Sequence, residues 1–184
     1  NKTFFLINYG CPKNLVDGEG IAATLIDDGF AQTTDVDKAD VVLVNTCGFI
    51  GEAEMESRAA IEHFTKHRNP GQKIVAAGCL TERRGDSLLE DYQDLDALLG
   101  TRRWNEVGEL VSRLDTDHRP TYLGPAVSSR EMTERAIAGT HSYVKIADGC
   151  NKNCSFCTIP SFKGRQKSLS LATILFQLKS LTQR

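Results

Sequence analysis

The sequence predicts an α/β protein: an N-terminal doubly wound, mostly parallel sheet with helices on both faces, followed by the first β-loop-α unit of a second domain. Three observations carry that prediction. Continuous apolar runs at residues 3–8 (TFFLIN), 41–45 (VVLVN) and 73–77 (KIVAA) read as strands covered on both faces. Stretches with helical spacing separate them, and strands alternating with helices at this rhythm define βαβ units joined by right-handed crossovers. Each run also ends directly in a turn that pairs glycine with cysteine: Gly10-Cys11, Cys47-Gly48 and Gly78-Cys79.

In order, the run at 3–8 closes on Tyr9-Gly10. A helix is expected over 17–28, with Ile21, Leu25 and Ile26 on one face and Gly29 as the stop. A weak strand follows near 30–33, then the VVLVN strand, and then a long helix over 52–67 closed by Asn69-Pro70-Gly71. After the KIVAA strand come a helix near 83–91, a short strand at 97–99 and a helix over 105–114.

Ligands of such sheets sit beyond the carboxyl ends of the strands. Cys11, Cys47 and Cys79 all fall just past strand ends, so three thiols far apart in sequence are expected at one edge of the sheet. A lone cysteine there would read as a small buried hydrophobe; three of three read as a shared metal or cluster site with an open coordination position. Gly18-Glu-Gly20-Ile-Ala-Ala23 matches G-x-G-x-x-A with Asp40 further on. In a dinucleotide fold, however, the first glycine ends the strand directly, whereas here Cys11 holds that turn, so the nucleotide reading is rejected. No Walker-type loop occurs either.

Residues 116–141 read as a linker. Residues 115–120 are charged and turn-like, and Gly124-Pro125 and Ser128-Ser129 continue the pattern, with at most a brief strand inside 120–123. His118 and His141 read as solvated linker residues, and His63 and His67 as a polar helix surface. A strand is then expected over 142–147 and a helix over 171–181, with Ile174, Leu175, Leu178 and Leu181 as its apolar face and Ser170 as N-cap.

Between those two elements lies Gly149–Pro160, GCNKNCSFCTIP, with Cys150, Cys154 and Cys157 spaced C-x3-C-x2-C. That spacing is too irregular for one face of a strand and suits a loop wound around a compact polynuclear centre. Fe–S clusters are held by cysteine thiolates, ordinarily four, so three leave one iron open. Asn151, Asn153 and Ser155 stand where they could hydrogen-bond to cluster sulfur. Structural zinc sites want four ligands and usually C-x2-C pairs, of which there is one here.

With 184 residues, 40% hydrophobic and 25% charged, the chain has an ordinary globular composition. No stretch is long and apolar enough to span a bilayer, and the N-terminus lacks a signal-peptide pattern. A cytoplasmic protein with its six cysteines reduced is expected. The first residue is Asn, so the chain is expected to begin inside a longer one. A net charge of −2 leaves no basic footprint for nucleic acid.

The spacing Cys150-x3-Cys154-x2-Cys157, with Phe156 before the last cysteine, resembles the signature of the radical S-adenosylmethionine (SAM) enzymes. The resemblance implies a [4Fe–4S] cluster on those cysteines whose fourth iron chelates SAM, with Phe156 at the cofactor. Over nearly the whole chain the pattern resembles the methylthiotransferases of that superfamily. The carrying residues are Gly10-Cys11-Pro12-Lys13-Asn14 with Asp17 and Glu19, Asn45-Thr46-Cys47-Gly48-Phe49-Ile50, Gly78-Cys79-Leu80, and Tyr143-Val-Lys145 through Ile159-Pro160. That resemblance implies an auxiliary [4Fe–4S] cluster on Cys11, Cys47 and Cys79, two clusters in all, and a product in which C–H becomes C–S–CH3.

Domains are then expected at 1–115 (auxiliary cluster), 116–141 (linker) and 142–184, the first β-loop-α unit of a truncated radical-SAM (β/α) barrel. Pro12-Lys13-Asn14 resembles the branch that modifies the β-carbon of an aspartate of ribosomal protein S12 in the small ribosomal subunit. The partners implied are that protein and a reductant such as flavodoxin or ferredoxin, with tRNA only under the alternative of the tRNA-adenosine branch. One departure stands out: where the family usually has Arg-Gly and then Arg-Ser-Arg, this chain has Lys163-Gly164-Arg165-Gln166-Lys167-Ser168-Leu169. Arg-to-Lys keeps charge and loses the bidentate fork. The chain alone is expected to be inactive. A zinc or thiol structural module remains the alternative of another class, and a flavodoxin-like electron carrier is disfavoured because cysteines stand where a phosphate cradle would be.

Overall fold

The computed structural model describes residues 2–126, 135 and 141–182. Six strands make one sheet in the order β2-β1-β3-β4-β5-β6, with every neighbouring pair parallel. They are β1 Thr3–Asn8, β2 Ala31–Gln32, β3 Val41–Thr46, β4 Lys73–Gly78, β5 Ala97–Gly100 and β6 Thr121–Tyr122. The central β3 is buried at all six positions, as its unbroken apolar run requires. The doubly wound α/β class is as expected.

Side chains alternate across the strands and sort the core into two layers. Phe4, Val41, Leu43, Val75, Ala77, Ala97 and Leu99 meet Ile21, Ala22 and Leu25 of α1 (Pro12–Asp27) and Val107, Leu110 and Val111 of α5 (Val107–Ser112). On the other face Val42, Val44, Ile74, Ala76 and Leu98 meet Ala60 and Ile61 of α2 (Gly51–Lys66), Leu80 of α3 (Cys79–Arg84) and Leu88 of α4 (Ser87–Asp91).

Several boundaries differ from expectation. Helix α1 begins at Pro12 instead of residue 17, because proline presets the φ of a first helical turn and loses no needed N–H there. The helix expected near 83–91 is two, broken at Gly85-Asp86, and the first starts at Cys79 itself. The helix expected over 105–114 begins as a 3-10 turn, Trp104–Glu106, before α5. Residues 121–122 of the expected linker are the sixth strand, held parallel to β5. Ser128-Ser129 lie outside the described residues.

The second part corrects one expectation outright. Residues 142–146 are not a strand; β7 is only Ala147–Asp148, and it pairs antiparallel with β8 Lys167–Ser168. A lone apolar run forms a strand only where a ladder partner exists, and residues 167–168 reach only its end. Helices α6 (Ile159–Lys163) and α7 (Leu171–Thr182) are the remaining helices among the described residues. On α7 the expected apolar face is only partly covered: Ile174 and Leu181 are half-buried and Leu175 and Leu178 exposed, while Thr173 and Gln177 are buried.

Candidate functional site

The strand order 2-1-3-4-5 is that of flavodoxin-like sheets, whose ligand crevice opens at the carboxyl edge between β1 and β3, where the winding reverses. Register places Asn8 opposite Asn45 and Thr46 opposite Gly78, so the turns after β1, β3 and β4 are adjacent at that edge. These are the turns of Cys11, Cys47 and Cys79. The topology therefore brings the three expected residues to one rim, with Cys11 and Cys47 astride the reversal. Cys11 is exposed, and Cys47 and Cys79 are buried.

Close backbone approach packs the rim. Gly10 has φ of +92°, and a Cβ there would lie 2.5 Å from the Cys47 Cβ and 2.7 Å from its Sγ. Only glycine meets both conditions without strain. A Cβ on Gly48 would lie 2.7 Å from the Leu80 Cα, so the Cys47 and Cys79 turns also lie against each other.

Polar side chains lock the three turns. The Asn14 amide, on α1, donates to the carbonyls of Tyr9 (2.8 Å) and Thr46 (3.1 Å), tying the β1 and β3 turns together. Its Oδ1 lies 3.9 Å from the Cys79 Sγ. Asn45 Nδ2 donates to Asn8 Oδ1 and to the Asn14 carbonyl, each at 2.8 Å. Ser57 Oγ accepts from the Cys47 N–H (2.9 Å) and donates to the Cys47 carbonyl (3.2 Å). Arg83 donates to the Gly48 carbonyl at 2.7 Å. Neither Ser57 nor Arg83 carried any sequence signal of this role; each is an ordinary polar residue on a helix, and only the fold places it at the rim.

Burial pushes the Cys79 thiol up to about 12, opposed by nearby Lys163. Lys163 Nζ is itself buried, donating to Asp17 Oδ2 (2.8 Å) and Thr101 Oγ1 (2.5 Å). Burial alone would lower the Lys163 pKa; Asp17, Cys79 and Asp148 reverse that and hold it above the usual lysine range.

The second trio lies on an open loop. Cys154 is exposed, Cys150 and Cys157 are half-buried, and Phe156 is 88% exposed. The Cys150 N–H donates to the Gly164 carbonyl (3.1 Å) and the Cys157 N–H to the Cys154 carbonyl (3.1 Å). Asn151 Oδ1 accepts from the Gln166 N–H at 3.1 Å, so that oxygen braces the loop. Among the described residues no three His, Cys, Asp or Glu side chains are gathered closely enough to cage a metal ion. In donor chemistry the rim fits a thiolate-bound centre: it carries three sulfur donors on the turns after β1, β3 and β4, with backbones held too close for larger residues.

Fold and rim together define a class: a doubly wound α/β domain that presents cysteines at the switch point where related sheets bind nucleotides. Residues 3–100 match the family described as "Uncharacterized protein family UPF0004". The chain belongs to that family, the N-terminal domain of methylthiotransferases. It is similar to proteins named ribosomal protein uS12 methylthiotransferase RimO from Herpetosiphon aurantiacus (35% identical, 98% of this chain and 45% of the relative) and Aliarcobacter butzleri (37%, 100% and 40%). The same name belongs to a Helicobacter pylori relative, 38% identical over 98% of this chain and 40% of its own length. The chain thus spans less than half the length of these curated relatives.

Proposed function

We propose that this chain is the thiol-bearing N-terminal part of a methylthiotransferase acting on ribosomal protein S12, at the β-carbon of an aspartate. The observation that carries the reading is the pair of cysteine trios: one on the rim of β1, β3 and β4, the other in the loop from Cys150 to Cys157. The names of the relatives support the substrate class. In this reading Cys11, Cys47 and Cys79 hold an auxiliary [4Fe–4S] cluster, and Cys150, Cys154 and Cys157 hold the one that binds SAM, with Phe156 beside it.

When bound, the clusters would supply an electron and sulfur, and two molecules of SAM would supply the radical and the methyl group, that together convert an unactivated C–H bond into C–S–CH3. The protein's residues position them. Asn14 and Asn45 hold the β1 and β3 turns together, Ser57 fixes the Cys47 backbone, and the Gly164 carbonyl anchors the Cys150 end of the loop. A soluble reductant such as flavodoxin or ferredoxin and a cytoplasmic setting complete the proposal.

Anaerobic reconstitution tests it. Two clusters bring about eight irons per chain and a broad visible absorption. Replacing Cys11, Cys47 and Cys79 together with Ala should remove about half of that iron. Loss of all the iron, or of none, refutes the partition, and a colourless zinc-loaded product refutes the cluster reading altogether. Mass spectrometry of S12 and of tRNA from cells lacking the gene tests the substrate: an unmodified tRNA beside a normal S12 would overturn the choice of branch.

A further inference from the structure

We infer that Lys163 is a positioning residue: a buried clasp that fixes the second cysteine loop against the carboxyl rim of the sheet and so sets the spacing between the two thiol trios. The consequence for two metal centres rests on the function proposed above; the clasp itself rests on geometry alone.

Lys163 ends α6, six residues after Cys157, and its side chain is 5% exposed. An ammonium carries three donors, and here each has an acceptor: Asp17 Oδ2 at 2.8 Å, Thr101 Oγ1 at 2.5 Å and Asp148 Oδ2 at 3.3 Å. Asp17 belongs to α1, the helix that Cys11 caps, and Thr101 follows β5. Both acceptors therefore belong to the sheet domain, 146 and 62 residues away in the chain. Lys145 repeats the crossing, with its Nζ 2.6 Å from Asp17 Oδ1 and 2.6 Å from Asp148 Oδ2. Two lysines and two aspartates thus alternate around one cluster whose formal charges cancel, with Asp17 and Lys163 buried and Asp148 at its more open end. Beside it Phe162 is buried, and α6 packs on α3, the helix that begins with Cys79.

The clasp touches both trios. Thr101 Oγ1 lies 3.9 Å from the Cys79 Sγ on one side. On the other, Gly164, next in the chain to Lys163, accepts the Cys150 N–H at 3.1 Å. Cys79, Thr101, Lys163, Gly164 and Cys150 form an unbroken line of contacts from rim to loop. Buried ion pairs add little stability relative to well-packed apolar residues of the same volume, but removing one partner leaves an uncompensated buried charge and is strongly destabilising; in this cluster only the observed docking meets all four charges. A general adhesive between the two parts would need no such pairing. A device that holds two cysteine sets at a set spacing does.

Hydrogen exchange of the metal-free chain tests the clasp without reference to iron. In Lys163→Met, amides of residues 150–168 should exchange about a hundredfold faster as the loop lifts from the rim, while β3 and β4 keep their protection. Thr101→Val, which removes one of the three acceptors and little volume, should accelerate the same segment by a smaller factor and keeps the test valid if Lys163→Met fails to fold. Acceleration within about twofold of the parent in Thr101→Val and Lys163→Met, or acceleration spread equally over the sheet, overturns the inference. Iron content of the unmutated chain is read separately: its absence would sink the two-cluster reading and leave the clasp standing.

Discussion

Gly10→Ala separates two physical costs that the rim imposes together. The first is conformational: at φ of +92° an L side chain pays about 1–2 kcal/mol for the left-handed region. The second is steric, because a Cβ 2.5 Å from the Cys47 Cβ and 2.7 Å from its Sγ must push a buried residue aside. Overpacking of that kind costs about 1–3 kcal/mol. The sum, about 2–5 kcal/mol, is a large part of the 5–15 kcal/mol typical of a whole domain. Gly29 supplies the control. Its φ is +88°, yet a Cβ there would meet nothing within 4 Å, so Gly29→Ala carries the first cost alone. Urea denaturation of both variants, compared through their midpoints, should place Gly10→Ala about 1–3 kcal/mol below Gly29→Ala. Alkylation of the metal-free chain should also find Cys47 newly reactive in Gly10→Ala and still shielded in Gly29→Ala. Equal destabilisation, within about 0.5 kcal/mol, would refute the close approach of the β1 and β3 turns on which the shared rim depends.

Two further outcomes follow from the same rim. Ser57→Ala strands both the N–H and the carbonyl of the buried Cys47, and should lower stability by about 1–3 kcal/mol in urea denaturation; Ser57→Thr, which keeps the hydroxyl, should lose less. The metal-free chain should also weaken in alkali. Burial raises the Cys79 thiol from 9.0 to about 12, so the folded chain holds that proton more tightly than the unfolded chain does. Its stabilising effect is complete below about pH 9, declines as pH rises beyond that, and is gone by about pH 12. Cys79→Ala should flatten that part of the stability profile, and an unchanged slope would show that the thiol is not buried as described.

The rim cysteines were legible because a parallel sheet makes every strand end on the same edge. Any residue directly after an apolar run of such a sheet lies there, whatever the strand order, so Cys11, Cys47 and Cys79 could be placed from local pattern alone. The strand order could not be read that way. It is the pairing of β1 with β3 and of β3 with β4 that makes the three turns immediate neighbours, and pairing is decided between segments about 30 residues apart. The short β6 stayed doubtful for the same reason: Thr121 and Tyr122 gain strand geometry from the open edge of β5 and have little intrinsic pattern of their own.

Charge is where sequence reading stops soonest. Asp17 is among the residues that carry the family resemblance, but it sits in a helix near Lys13 and Glu19, and that local charge pattern carries no sign of its burial. Its burial follows from two lysines, Lys145 and Lys163, that arrive 128 and 146 residues later. Lys163 stood out only as a departure from the arginine usual in the family, which suggested a weakened contact. The structure gives the change a different meaning. A guanidinium offers a planar fork suited to one carboxylate, whereas an ammonium directs three donors to three separate acceptors, and Asp17, Thr101 and Asp148 surround the Lys163 Nζ in that way. Here the smaller cation matches the number of its partners, so this position is read better by counting acceptors than by ranking conservative substitutions.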